Sequence, residues 1–298
     1  MTLSVLLLRL KNGVLKITEK EITWERPIHD SPWNTTVTKL VNNEAFAGDT
    51  KIATVETSKI KDGSFMFYHT NLSEYSSELD TLENGQHMFE NTQIKTFCHD
   101  LSSLTNSIGM FQDCSNLSSF IGDLSSLANS VDMFQDCNNL SSFIGDLNSL
   151  IDGRSMFKNC WILMEFNSNL SSLKSGNDMF YGTSLAEFDS DLSSLIDGDN
   201  MFGETQLSLK SVECIAETLS TVDNMNILTI TWNPQLIEDK RQPFVNILSR
   251  IVDKGWTLRT DGELLPLFDS EKYQIGSSTV KPRNIDSEPQ TVYYVVKK

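Results

Sequence analysis

Between residue 44 and about residue 210 apolar positions recur every 22 or 23 residues, most visibly as Met-Phe at Met66, Met88, Met110, Met133, Met156, Met179 and Met201. A fixed period of this size predicts a solenoid, in which each coil buries its apolar face only against its neighbours. The unit starting at Met110 reads M-F-Q-D-C-S-N-L-S-S-F-I-G-D-L-S-S-L-A-N-S-V-D, two apolar clusters separated by polar spacers. The short run Leu117 to Ile121 is bounded by Gly122 and Asp123, with equivalents at Leu140 to Ile144 and Leu163 to Asn167. These runs predict rungs of a parallel sheet. Leu124, Leu127, Val131 and Phe134 then follow at the spacing of one helix face. Asp100, Asp123, Asp146, Asn169 and Asp191 stand just before that face, where a side-chain oxygen caps free helix N–H groups. Seven residues after each cap comes a small residue, Ser107, Ser130, Gly153, Gly176 or Gly198, where the helix is expected to kink or pack closely. Such a break lets both Met and Phe turn inward. Phe111, Phe134, Phe157, Phe180, Leu124, Leu147, Leu170 and Leu192 are therefore expected to form one buried stripe.

The unit changes length at one spot. Coils of 23 residues carry Cys114, Cys137 or Cys160 four residues after Met, followed by Leu117, Leu140 or Leu163; coils of 22 carry Thr there and reach the apolar residue sooner, as in Thr92/Ile94, Thr183/Leu185 and Thr205/Leu207. A surface turn tolerates such a change. Phe46, Ile52, Val55, Ile60 and Phe67 read as a degenerate earlier copy, which brings the array to about eight coils.

The flanks differ. Residues 1–43 are expected to form a hairpin and linker, with Asn12-Gly13 turning a first strand into a second that ends near Ile22 and Trp24. Residues 211–262 read as an α/β cap: Ser211 opens a helix carrying Val212, Ile215, Leu219 and Val222, Ile227 to Trp232 is a strand, a second helix from Pro243 presents Phe244, Leu248 and Ile251, and Trp256 to Leu258 is another strand. Residues 263–298 read as an extended tail closing with Thr291 to Val296, a strand pattern without an evident partner in the tail. An unpaired strand of that kind recruits another chain. The expected fold is thus an α/β, leucine-rich-repeat-like solenoid of about eight strand-helix coils, with an N-terminal β-hairpin and an α/β C-terminal cap.

The strand, the Asp before the apolar face, and M-F-x-x-C at fixed register resemble the BspA-like leucine-rich repeats and the related repeat of mycoplasmal surface lipoproteins. The resemblance covers residues 44 to about 210. It implies adhesion and protein or matrix binding, with no particular ligand, and it implies that the strand-helix-strand run after Phe202 caps the array. The usual leucine-rich consensus, with Asn or Cys between two Leu positions, is not reproduced in order.

Chemistry is sparse. Net charge is −16, which argues against nucleic acid and anionic membrane, since both need Lys and Arg to neutralise phosphate. No apolar run approaches a membrane span, and the apolar start, Met1 to Leu10, lacks the basic region and cleavage site of a signal peptide. The cysteines Cys98, Cys114, Cys137, Cys160 and Cys214 are odd in number and contain no C-x-x-C pair, which argues against disulfides or zinc; Cys114, Cys137 and Cys160 share one coil position and are expected to form a reduced, buried column. His69, His87 and His99 occupy different repeat positions, so no histidine metal cluster is expected. Recurrent N-L-S sequons at Asn71, Asn116, Asn139 and Asn169 follow from the repeat and are not read as glycosylation sites. Asp100, Asp123, Asp146 and Asp191, with Asp189 and Asp197 nearby, form the one column able to share calcium among oxygens, although a compact D-x-D-x-D-G loop is missing. No catalytic motif stands out, and we expect no catalytic, cofactor-binding or metal-binding residues and no cofactor.

Three functional settings are open from sequence. The first is a bacteriophage virion component (decoration, fibre or tail-associated protein), joined to other protein chains of the assembly through the N-terminal hairpin and C-terminal strand and presenting its solenoid to a receptor or host surface protein. The second is a bacterial cell-surface adhesin, and the third an intracellular interaction scaffold.

Overall fold

The computed structural model of the protein describes residues 6–10, 13–17, 22–25, 37–55, 57–222, 226–231, 240–260, 265–280 and 290–298. In its repeat the backbone bonds between coils rather than within them. Around each Met-Phe pair alternate amides reach the next coil: Phe65 N–H donates to Gln86 O, Phe67 N–H to Met88 O and His69 N–H to Glu90 O, at 2.8, 2.8 and 2.9 Å. The intervening amides turn back three residues, as from Met66 N–H to Gly63 O and Tyr68 N–H to Phe65 O. The same ladder continues through Phe89 to Met110, Phe111 to Met133, Phe134 to Met156 and Phe157 to Met179. A second ladder of single-residue parallel bridges joins Asp62, Asn84, Asn106, Asn129, Asp152, Ser175 and Asp197.

Strands supply the third ladder. An antiparallel sheet of β1 (Leu6–Leu10), β2 (Gly13–Ile17) and β3 (Ile22–Glu25) comes first, followed by β4 (Lys39–Val41), β5 (Glu44–Ala47) and β6 (Thr50–Thr54). The rungs are β7 (Glu74–Ser76), β8 (Thr96–Asp100), β9 (Ser119–Asp123), β10 (Ser142–Gly145), β11 (Glu165–Phe166) and β12 (Glu187–Phe188). Strands β8, β9 and β10 pair in parallel and in register, Phe97 beside Phe120 beside Phe143, and β11 pairs likewise with β12.

The strand-helix coil expected from sequence does not form. Among the described residues of the repeat there is no α-helix; the segment that carries the helical spacing is a chain of turns. Asp123 Oδ1 accepts from Ser125 N–H at 2.9 Å and Leu127 N–H closes one turn on Leu124 O at 2.9 Å, after which Asn129 leaves to bridge the neighbouring coils. Asp132 and Asp136 then adopt φ of 58° and 61°, which an α-helix excludes. Ser, Asn and Asp favour this outcome because their side chains compete for local backbone groups. Two further corrections concern the N-terminal part. The second predicted strand is two strands, β2 and β3, and residues 39–54 form an antiparallel meander rather than an eighth coil. Strand β4 of that meander pairs in parallel with β7 and closes the ladder. Asn12, on the predicted turn, lies outside the described residues.

Both members of every Met-Phe pair point inward, and all eight stripe residues named above are fully buried. The Phe rings stack coil on coil: Phe111 to Phe134 at 5.5 Å between centroids and Phe134 to Phe157 at 5.5 Å. A second column, Phe97, Phe120, Phe143, Phe166 and Phe188, stacks beside the first, and the two meet edge to face, as at Phe120 and Phe134, 4.9 Å apart. Each such pair adds about 0.5–1.5 kcal/mol beyond its burial. The small residue of each coil seats the thioether of the next. A Cβ on Gly85 would lie 2.8 Å from Met110 Sδ and one on Gly176 2.9 Å from Met201 Sδ, while Ser107 and Ser130 donate their hydroxyls to Met133 and Met156 Sδ at 3.1 Å.

The far end is closed by a five-stranded sheet in the order β13 (Gly198–Phe202), β14 (Ile227–Ile230), β15 (Thr257–Thr260), β17 (Gln290–Lys297) and β16 (Tyr273–Val280). Helices α1 (Leu209–Thr218) and α2 (Arg241–Asp253) pack against each other, and α2 against β15 and β17. Helix α1 is capped by Ser208, whose Oγ accepts from Ser211 N–H, and not by Ser211 as expected; Ser211 Oγ instead donates to Ala186 O at 2.9 Å and ties the helix to the last coils. Trp232, the predicted end of a strand, lies outside the described residues. The C-terminal strand is also corrected. It has partners on both sides, Val295 pairing with Leu258 of β15 and with Ile275 of β16, and Val295 is fully buried.

Candidate binding surface

Because residues alternate across a strand, the rungs that turn Phe97, Phe120, Phe166 and Phe188, and the half-buried Phe143, toward the core must present their neighbours outward. One outward column is Thr96, Ser119, Ser142, Glu165 and Glu187; the other is Cys98, Ile121, Ile144, Asn167 and Asp189. Ile121 and Ile144 are 41% and 58% exposed and stand in register on β9 and β10. They line a shallow groove of 910 Å³ bounded by Asp100, Asp123, Asp146 and Asn169. On the inward side of these rungs Gly122 and Gly145 leave room for Phe120 and Phe143, whose ring carbons would lie 2.9 and 2.8 Å from a Cβ there. The groove is open to solvent along its length and does not enclose a cavity.

The acidic column along the groove is committed to its own backbone. Asp100, Asp123 and Asp146 each accept the N–H two residues on, at 2.8, 2.9 and 2.9 Å, and Asn169 and Asp191 do the same at 2.9 and 2.8 Å. The hydrogen bonds from Ser102 hold the Asp100 carboxyl below the usual carboxylate range. Among the described residues no three His, Cys, Asp or Glu side chains converge closely enough to hold a metal ion.

Nucleophile and base are likewise kept apart. Cys98 is exposed, whereas His99, the next residue on β8, lies inward against Phe97 at 4.6 Å and bonds Tyr75 O at 3.2 Å; burial lowers its pKa. His87 Nδ1 sits 2.5 Å from Glu90 Oε2, with His69 Nε2 3.8 Å from the other Glu90 oxygen. His87 Nδ1 is buried and has no partner in hydrogen-bond geometry among the described residues. Cys114, Cys137 and Cys160 are unpaired, fully buried, and donate to Phe89, Phe111 and Phe134 O at 3.0, 3.0 and 3.2 Å. Burial pushes the Cys114 thiol up to about 11 and those of Cys137 and Cys160 upward as well. A thiol reagent should therefore modify Cys98 in the native protein and the three column cysteines only after denaturant is added, as mass spectrometry of the alkylated protein can show.

One carboxylate is stored at a cost. Asp113 has a φ of 59°, and burial, with the nearby carboxylates of Asp136 and Glu90, raises its pKa against the opposing effect of His69. The folded pKa lies above the unfolded one, so the fold loses stability as pH rises from the ordinary carboxylate range through the folded value. Asp113→Asn, which tolerates the same backbone, should raise the melting temperature at pH 7 and leave it unchanged below the carboxylate range.

Sequence reasoning placed the Asp column and the cysteines but missed two features. One is the second aromatic column, whose signal was a Phe at the same position of successive rungs. The other is a set of large apolar residues on the surface at Trp161, Ile162 and Met164, where a polar turn occurs in the preceding coils. Among the described residues no helix is long and apolar enough to cross a membrane. In comparisons with known proteins, no family model, no curated protein and no solved structure matches this chain.

Proposed function

We propose that the protein is a non-enzymatic binding solenoid of a larger assembly, with a bacteriophage particle as its setting and the BspA-like repeats as its kin. The observation that supports binding most directly is the exposed Ile121 and Ile144 column over the β8–β10 groove. Aliphatic residues in register on an open sheet face mark interaction sites in otherwise polar surfaces. The assembly setting rests on the N-terminal sheet β1–β3, which lies outside the coil ladder; the C-terminal strand no longer supports it, because β17 is paired on both edges. Pairing of Cys98 with a base, the arrangement an enzyme would need there, is opposed by the strand alternation that turns His99 inward.

The test is co-purification from the native source with wild type and with an Ile121→Ser/Ile144→Ser variant. A stoichiometric protein partner that leaves the variant while the urea midpoint stays the same is the expected result. Retention of every partner by the variant would contradict the reading.

A further inference from the structure

The repeat serves as its own control, and one coil departs from it. Ser115-Asn116-Leu117-Ser118-Ser119 and Asn138-Asn139-Leu140-Ser141-Ser142 become Trp161-Ile162-Leu163-Met164-Glu165. Leu163 stays buried like Leu117 and Leu140, but Trp161, Ile162 and Met164 are 58%, 44% and 60% exposed. The polar residues they replace hold coils together: Ser118 Oγ donates to Lys95 O at 3.0 Å, Ser141 Oγ to Ser118 O at 3.2 Å and Asn139 Nδ2 to Ser115 O at 2.6 Å. Ile162 and Met164 have no group to make those bonds. The backbone still joins this coil to the next, with Ala186 N–H donating to Met164 O at 2.9 Å, but the side-chain bonds to the preceding coil are given up and apolar surface is exposed, which packing of the core does not require.

The charge changes at the same place. The outward column runs Thr96, Ser119, Ser142 and then Glu165 and Glu187, which face each other in register on β11 and β12, with Asp189 two residues further on. Like charges directly opposed on neighbouring strands are destabilising. Neither glutamate has an ion-pair partner among the described residues. An apolar platform bordered by unpaired carboxylates is complementary to a segment whose apolar side chains are flanked by Lys or Arg. A second copy fits poorly, since each copy brings a net charge of −16.

We infer that Trp161, Ile162 and Met164 are a docking platform for a basic, amphipathic segment of a partner protein, with its cations set against Glu165, Glu187 and Asp189. The inference rests on the reading of the chain as a binding solenoid but uses a surface other than the β8–β10 groove.

The variant that tests it takes the register residues of the preceding coil, Trp161→Asn/Ile162→Asn/Met164→Ser, which leave the charge unchanged and suit the fold. Titration calorimetry with a Leu/Lys amphipathic peptide and its Leu/Glu counterpart supplies the readout. The Leu/Lys peptide is expected to bind the full-length protein, to bind the triple variant about tenfold more weakly or worse, and to lose affinity similarly with Glu165→Gln/Glu187→Gln; the Leu/Glu peptide is expected not to bind. Equal binding by wild type and triple variant overturns the inference, as does equal binding of the two peptides. Sedimentation showing a wild-type dimer that the triple variant abolishes also overturns it, assigning the platform to a second copy. Should the triple variant bind like wild type while Ile121→Ser/Ile144→Ser loses its partner, the platform falls and the groove stands.

Discussion

Phe134→Ala is expected to cost about 3–5 kcal/mol in urea unfolding, toward the top of the range for a buried aromatic. Phe134 is fully buried and touches four rings: Phe111 and Phe157 above and below at 5.5 Å, and Phe120 and Phe143 at 4.9 and 5.7 Å edge to face. The truncation leaves a void in mid-column, where coils on both sides are pinned by backbone ladders and cannot collapse into it. In a solenoid each coil is stabilised by its neighbours, so a central loss is felt on both sides. Phe188→Ala, whose ring stands near the end of the second column, should cost less. Equal and near-zero losses at both positions would contradict the stacked-column core.

Removal of residues 290–298 is expected to unfold the C-terminal cap rather than to release the protein from an assembly. Strand β17 lies between β15 and β16, and α2 packs on it. Its loss strands β16, opens an edge on β15 and uncovers Leu258, Tyr273 and the α2 face bearing Leu248, Ile251 and Val252, all buried in the intact protein. Limited proteolysis should cut the truncated chain first within residues 240–280, with the cooperative unfolding transition reduced or split. Val295→Asp should act in the same direction by burying an unpaired charge between two strands. A truncated chain with the wild-type proteolysis pattern would show that the cap does not depend on β17.

The period, the inward Met and Phe and the column of cysteines were legible because each follows from residue type at fixed register, whereas Asp100, Asp123 and Asp146 were expected to cap helices and instead accept the N–H two residues on in turns. The conformation between Asp123 and Phe134 was not. Leu124, Leu127, Val131 and Phe134 fit one helix face, yet the same spacing arises when two turns and a bridge bring Leu124, Leu127 and Phe134 inward, and Val131 is then only half-buried. What decides between them is the neighbouring coil, which accepts the amide that a helix would use internally. A pattern along one chain carries the apolar positions but not the partner of each N–H. The partner of β17 was hidden for a related reason: the alternation in Thr291 to Val296 marks a strand, while its pairing with β15 joins residues far apart in sequence. The apolar residues at Trp161, Ile162 and Met164 depart visibly from the repeat, but residue type alone does not say whether an apolar side chain in a turn faces the core or solvent.

Around each Met-Phe pair the coils exchange backbone hydrogen bonds with their neighbours instead of forming helices. Scalar coupling across hydrogen bonds, measured by NMR on isotopically labelled protein, addresses it residue by residue. The Phe134 amide nitrogen is expected to couple to the Met156 carbonyl carbon, and Phe111 to Met133, with non-helical Cα shifts from Leu124 to Cys137. Coupling of Phe134 to the carbonyl of Ser130 within its own coil, with helical shifts through the segment, would contradict it.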